Sequence, residues 1–153
     1  MHKDHDDYLR DSINLALSAG RMGAPPFAAV ITIDGVTVAK EVNQVINSLD
    51  PTQHAEIAAI RSAARTLGTI DLHNCVLYTS CEPCVMCRGA LLWARLESVY
   101  FSATREIAAK YGFSDGYAKI RGVFSSQCFV QDLEELGEEP FIEWNKCEQK
   151  LGY

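Results

Sequence analysis

Two short stretches hold most of the side chains able to do chemistry: His54-Ala55-Glu56, and Cys81 through Cys87 with Glu82-Pro83-Cys84 at its centre. The His54 imidazole and the Cys84 and Cys87 thiolates form a three-donor set suited to Zn2+. Three protein ligands leave a fourth tetrahedral position for water, as a catalytic site requires. Two thiolates neutralise the dication, the neutral imidazole adds no charge, and a helix N-terminus under each stretch would favour the thiolate form. Glu56 has no use in a closed structural site. A hydrolytic site, by contrast, needs a base that takes a proton from water and hands it to a leaving group. The residues therefore predict metal-assisted hydrolysis. The alternative, a structural zinc site or unrelated buried thiols, leaves Glu56 unexplained. Cys81 precedes Pro83 and is expected to be a buried or loop thiol, and Cys75, Cys128 and Cys147 small core residues. His2, His5 and His73 have no partner set and are assigned no role.

The elements that must position these residues follow from periodicity and turn chemistry. Leu9, Ile13, Ala16 and Leu17 fall at helical spacing between Asp4 and about Arg21, and Gly20, Gly23 and two prolines end the pattern. Phe27 to Ile33, the Asp34-Gly35 turn and Val36 to Val45 predict a hairpin. A second helix is expected from Asp50-Pro51-Thr52 to Gly68, capped by Asp or Thr, with a narrow Ala-rich face that packs close to its neighbours. Val76 to Thr79, a helix from Pro83 through Arg95, and Val99 to Phe101 read as strand, helix, strand, a parallel crossover. A helix from Thr104 to about Tyr111 and a strand near Gln127 to Val130 follow. The last predicted helix comes after Glu139-Pro140 and carries Trp144, Cys147 and Leu151. One domain over residues 1–153 with a three-layer α/β/α sandwich around a mixed five-stranded sheet is the expected architecture.

Composition narrows the function classes. A chain of 153 residues that is 48% hydrophobic and 22% charged is ordinary globular material, and its six cysteines are clustered rather than spread as a disulfide framework. No run approaches the ~18 apolar residues of a membrane span, so no membrane partner and a reduced, cytoplasmic location are expected. The formal charge of −6 argues against nucleic acid. It is uneven: residues 131–153 carry seven acids against two bases, residues 1–130 thirteen against twelve. The acidic run from Asp132 to Glu139 reads as a solvated face, and Glu143 as an exposed helix-start acid.

His-x-Glu followed by Pro-Cys-x-x-Cys is the signature of zinc-dependent nucleobase deaminases. Together with Pro26-Phe27, Asp50-Pro51-Thr52, Thr79-Ser80-Cys81, Trp93-Ala94-Arg95, Gly112-Phe113 and the terminal Tyr153, it makes the chain resemble the cytidine-deaminase-like zinc deaminase superfamily over essentially its whole length, most of all the bacterial guanine deaminase branch. The resemblance implies one Zn2+ per subunit held by His54, Cys84 and Cys87, with Glu56 as proton shuttle. It implies that Asn43 hydrogen-bonds the edge of a small heterocyclic base, that Phe27 packs on its face, and that the Ala55 and Cys84 backbones hold the reacting end. Trp93 would wall the pocket and Asp115 would contact the base. It also implies a homodimer that exchanges a C-terminal segment from about residue 131, with Tyr153 closing the partner's pocket.

The family's Gly-Pro-Phe-Gly-Ala-Val appears as Pro25-Pro26-Phe27-Ala28-Ala29-Val30, which stiffens the loop and adds a methyl group beside the expected base site. The expected reaction is guanine to xanthine plus ammonia. Guanosine, cytosine, a triazine such as ammeline and a tRNA adenosine stay open as substrates, and a zinc-stabilised interaction module as a non-enzymatic role. The tRNA option is disfavoured, because the basic excess over residues 103–121 is only +2, from Arg105, Lys110, Lys119 and Arg121 against Glu106 and Asp115.

Overall fold

The computed structural model describes residues 4–96, 98–115 and 128–153. Helix α1 (His5–Arg21) opens on a capping box in which the Asp4 carboxylate accepts from the Asp7 N–H and Asp7 accepts in return from the Asp4 N–H. This satisfies donors that have no partner inside the helix and sets acid at its positive end. Strands β1 (Ala28–Ile33) and β2 (Val36–Val42) turn at Asp34-Gly35, both with positive φ as a two-residue hairpin turn demands. There follow α2 (Val45–Ser48), α3 (Ala55–Leu67), β3 (Cys75–Cys81), α4 (Val85–Trp93), β4 (Ser98–Ala103) and α5 (Arg105–Lys110). Strand β5 (Cys128–Gln131), α6 (Glu134–Gly137) and α7 (Glu139–Lys146) complete the described elements.

The sheet order is β2-β1-β3-β4-β5. β1 runs antiparallel to β2 and β3, while β3, β4 and β5 are mutually parallel. Alternation along the strands sends Ala29, Ile31, Leu77 and Val99 to one face, where they are buried with Ala55 and Ala59 of α3 and Leu91 of α4. Val30 and Tyr78 point to the other face, against Tyr8, Leu9 and Ile13 of α1. The result is the expected α/β/α sandwich on a mixed five-stranded sheet. A third apolar cluster of Cys81, Ala103, Phe113, Phe141 and Trp144 fills the end of the sheet where β3 and β4 stop.

Several boundaries differ from the sequence expectation for local reasons. β2 ends at Val42 and residues 45–48 form the one-turn α2 instead of more strand. Asp50 does not cap α3: its Oδ1 accepts from the Thr52 N–H at 2.8 Å and from the Thr52 hydroxyl at 2.6 Å, a closed Asx-type turn that delays the helix to a His54 N-cap. α4 likewise begins after Cys84 rather than at Pro83, and it stops at Trp93 because Arg95 takes a positive φ of 60°. α7 ends at Lys146, so Cys147 and Leu151 lie beyond it, and Leu151 donates its N–H to the Gly23 carbonyl at 2.7 Å. Cys75 and Cys81 are buried, but Cys128 is exposed and Cys147 half-buried, so these two are not core residues. His2, Lys119, Arg121 and Gln127 lie outside the described residues. No helix among those described is long and apolar enough to cross a membrane.

Candidate active site

His54 and Cys84 occupy equivalent places, as the N-cap residues of α3 and α4. Both have extended backbone (φ/ψ −61°/160° and −68°/171°), and neither side chain caps its own helix. An N-cap side chain is normally taken up by the first turn. Here both are free to point at each other, and Cys87, one turn into α4, joins them.

His54 Nδ1 stands 3.5 Å from Cys84 Sγ and 3.6 Å from Cys87 Sγ, and the three donor atoms lie within 4.8 Å of one another. A nitrogen at ~2.1 Å and a sulfur at ~2.3 Å from one tetrahedral zinc stand ~3.6 Å apart, so the spacing and the donor chemistry both fit that ion. Hydrogen bonding from Cys87 outweighs burial and, with the contact to His54, holds the Cys84 thiol down to about 4. The hydrogen bond to Cys84 and burial push Cys87 well up. Burial pulls the His54 imidazole down, but the Cys84 hydrogen bond and the nearby Glu56 and Cys84 charges together raise it above its ordinary value.

Glu56, in the first turn of α3, is 6% exposed. Its Oε1 accepts from the Thr79 hydroxyl at 3.4 Å and its Oε2 lies 3.5 Å from Cys87 Sγ. Burial pushes its carboxyl pKa up, with the Cys84 charge acting in the same direction. A carboxylate raised from its usual range and set beside a metal triad can both accept and return a proton.

His54, Cys84 and Glu56 open on a cavity of about 280 Å3, with Cys87 buried behind them. Phe27, Asn43, Asp115 and Tyr153 line it, Tyr153 in its own chain where the resemblance implied the partner's pocket. Asn43 is buried. Its Oδ1 accepts from the Val45 N–H at 3.1 Å, which leaves the amide nitrogen as the group facing the cavity, where it donates to the Tyr153 hydroxyl at 2.6 Å. Phe27 meets Phe113 edge-on, with centroids 5.0 Å apart. Ala55 is fully buried among core residues and is not at the cavity wall.

Trp93 does not wall the cavity. It is 89% exposed at the end of α4, beside Ile70 and Leu92, because α4 carries it to the helix end remote from Cys84. Lining residues that sequence reasoning missed include Arg105, Met86 and Pro51. Arg105 looked like part of a basic stretch, yet its side chain is only 14% exposed and turns inward, with Nε 3.4 Å from Asp115 Oδ2. A signal was present in its place after the Thr104 cap of α5, since as the first residue of that helix Arg105 donates its N–H to Glu82 and lies beside Cys81 at the end of β3.

Comparison with known proteins agrees with this geometry. The family described as the cytidine and deoxycytidylate deaminase zinc-binding region matches residues 2–103, and the chain belongs to it: it is a zinc-binding deaminase domain. More narrowly, it is a homologue of guanine deaminase. It is 45% identical to the Bacillus subtilis guanine deaminase over 115 residues, 74% of each chain. The crystal structure of guanine deaminase from that organism superposes with a TM-score of 0.73 at 38% identity, covering 99% of both chains. The tRNA-specific adenosine deaminase of Aquifex aeolicus is 42% identical over 96 residues, 63% of this chain and 64% of that one.

Proposed function

We propose that the protein hydrolyses guanine to xanthine and ammonia. The observation that carries this is one cavity lined by His54, Cys84, Glu56, Asn43 and Asp115, with Cys87 completing the metal triad behind its wall, in a chain so similar to a guanine deaminase. When bound, zinc acidifies a water toward a pKa of ~7. Glu56 takes the proton from the water that adds to the ring carbon bearing the amino group, then returns a proton to the departing nitrogen, so one water is consumed and one ammonia released. The buried Asn43 amide donates to an acceptor on the base edge. Phe27 packs on the ring face, and Asp115 accepts from an N–H. Closing Tyr153 over the base excludes bulk water.

The test is ammonia release by the zinc-loaded protein across guanine, guanosine, cytosine, ammeline and a tRNA substrate. Guanine should be turned over fastest. A tRNA acted on faster, with salt-sensitive binding, would replace the guanine reading. Against that outcome, the inward turn of Arg105 removes one cation from the weakly basic stretch of residues 103–121. A zinc-stabilised interaction module has no use for a cavity beside a buried carboxylate.

In this chain α7 packs on α1 and Tyr153 reaches the chain's own cavity. We further infer that the segment from about residue 131 exchanges between two subunits of a homodimer, making the same contacts in trans. Leu133, held in the left-handed region at φ 48°, supports this as the hinge: a branched residue is strained there, and an extended connection would relieve it. The location is cytoplasmic, and the reaction belongs to purine breakdown.

A further inference from the structure

We propose that Arg105 is a positioning residue for substrate, holding the Asp115 carboxylate as an acceptor at the cavity wall so that the site selects heterocycles presenting an N–H donor there. This rests on the reading that the cavity binds a heterocyclic base. The guanidinium spreads over three partners: Nη2 donates to the Phe113 carbonyl at 3.1 Å, Nη1 lies 3.8 Å from Cys81 Sγ, and Nε faces Asp115 Oδ2 at 3.4 Å. The Arg105 backbone N–H donates to Glu82 Oε2 at 3.1 Å. Glu82 in turn holds Arg88 Nη2 at 2.9 Å through its other oxygen, and Arg88 Nε donates to the Pro83 carbonyl at 3.1 Å.

An unbroken line of contacts therefore runs from Asp115 to Pro83, the residue before the metal ligand Cys84. Through it the wall that meets the base is referenced to the wall that holds the metal. Gly112, at φ 95°, turns the chain so that Phe113 and Asp115 both come back toward Arg105. The planar fork suits this task as a lysine point charge would not. The buried Nε–H has no hydrogen bond of good geometry, only the longer ion pair to Asp115. It is a donor ready to shorten its contact when a base draws Asp115 into place. Arg105 is the one lysine or arginine among the described lining residues. The resulting selectivity is for a donor edge: a carboxylate accepts hydrogen bonds and rejects a ring lone pair at the same spot.

Steady-state kinetics on guanine with the full-length zinc protein tests this. Arg105→Gln should raise KM about tenfold while kcat stays within about twofold and zinc content is unchanged, and Arg105→Lys should recover part of the loss. Asp115→Asn should raise KM similarly, and the double variant should be no worse than the worse single one, since both act through one contact. An unchanged KM in the variants, multiplicative losses in the double variant, or a fall in kcat and zinc content at constant KM each overturns the proposal. Should Arg105→Gln fail to fold, Asp115→Asn and Arg105→Lys decide by the same criteria. Calorimetric binding of xanthine separates the two readings. A wild type that binds xanthine without releasing ammonia from guanine removes the reaction, and the variants' dissociation constants still decide Arg105, about tenfold weakening supporting it. A wild type that does neither overturns both.

Discussion

At the scale of single residues, the site divides its cysteines by environment. Cys84 is held down to about 4 by hydrogen bonds from Cys87 and His54, whereas burial pushes Cys81, three residues earlier, up to about 12. After zinc is stripped with a chelator, Cys84 is thiolate at pH ~7 and Cys81 is not. Of the buried cysteines, Cys84 should then be alkylated first by iodoacetamide and Cys81 last, as peptide mass spectrometry would show. Earlier labelling of Cys81 would contradict the geometry. Glu56 is the complementary case. Glu56→Gln keeps the size and loses the proton acceptor, so kcat should drop by ~100-fold to 10,000-fold with zinc stoichiometry intact by metal analysis. Loss of metal together with activity would assign Glu56 to the coordination sphere instead.

At the scale of elements, two helix N-termini build the metal site, because α3 and α4 both begin one residue after a ligand. The closed Asp50-Thr52 turn puts His54, rather than Asp50, at the cap. A second element-level contact reaches the site from afar. A Cβ on Gly20 of α1 would sit 2.5 Å from the Pro140 carbonyl and 3.2 Å from the Trp144 nitrogen, so the backbone of α7 lies directly against α1. Gly20→Ala must push α7 away, at a cost of ~1–3 kcal/mol. Urea unfolding should report that loss, and guanine KM should rise because the tail beyond α7 carries Tyr153. An unaltered midpoint would mean the helices tolerate separation.

For the whole molecule the question is which cavity the tail closes. The tail is docked through Trp144 Nε1 to the Leu151 carbonyl at 2.9 Å and Leu151 N–H to the Gly23 carbonyl, and it ends with Tyr153 on Asn43. Burial of the Tyr153 hydroxyl raises its pKa, so it meets Asn43 as a phenol, while the residue as a whole stays half exposed. A chain lacking Tyr153 should show a raised KM. If the tail is exchanged between subunits, refolding that chain together with Glu56→Gln should recover activity above the sum of the two, because an intact Glu56 then meets a partner's Tyr153. A mixture no better than its parts would place the lid on its own chain.

The zinc-binding triad, the carboxylate beside it at Glu56 and the layered α/β/α order were legible in the residues themselves, for two physical reasons. Metal chemistry needs particular donor atoms at short spacings, and alternating or helical burial leaves periodic traces in the chain. Element boundaries were less so: the Asp50-Thr52 turn and the positive φ of Arg95 are local competitions that composition does not weigh. The cavity wall could be read only in part. Trp93 carries a familiar pattern yet faces solvent, and Arg105 carries a surface-like charge yet is turned inward to Asp115. Such outcomes depend on where a helix ends and what packs across it. Those distances belong to residues far apart in sequence, and only the tertiary structure decides them.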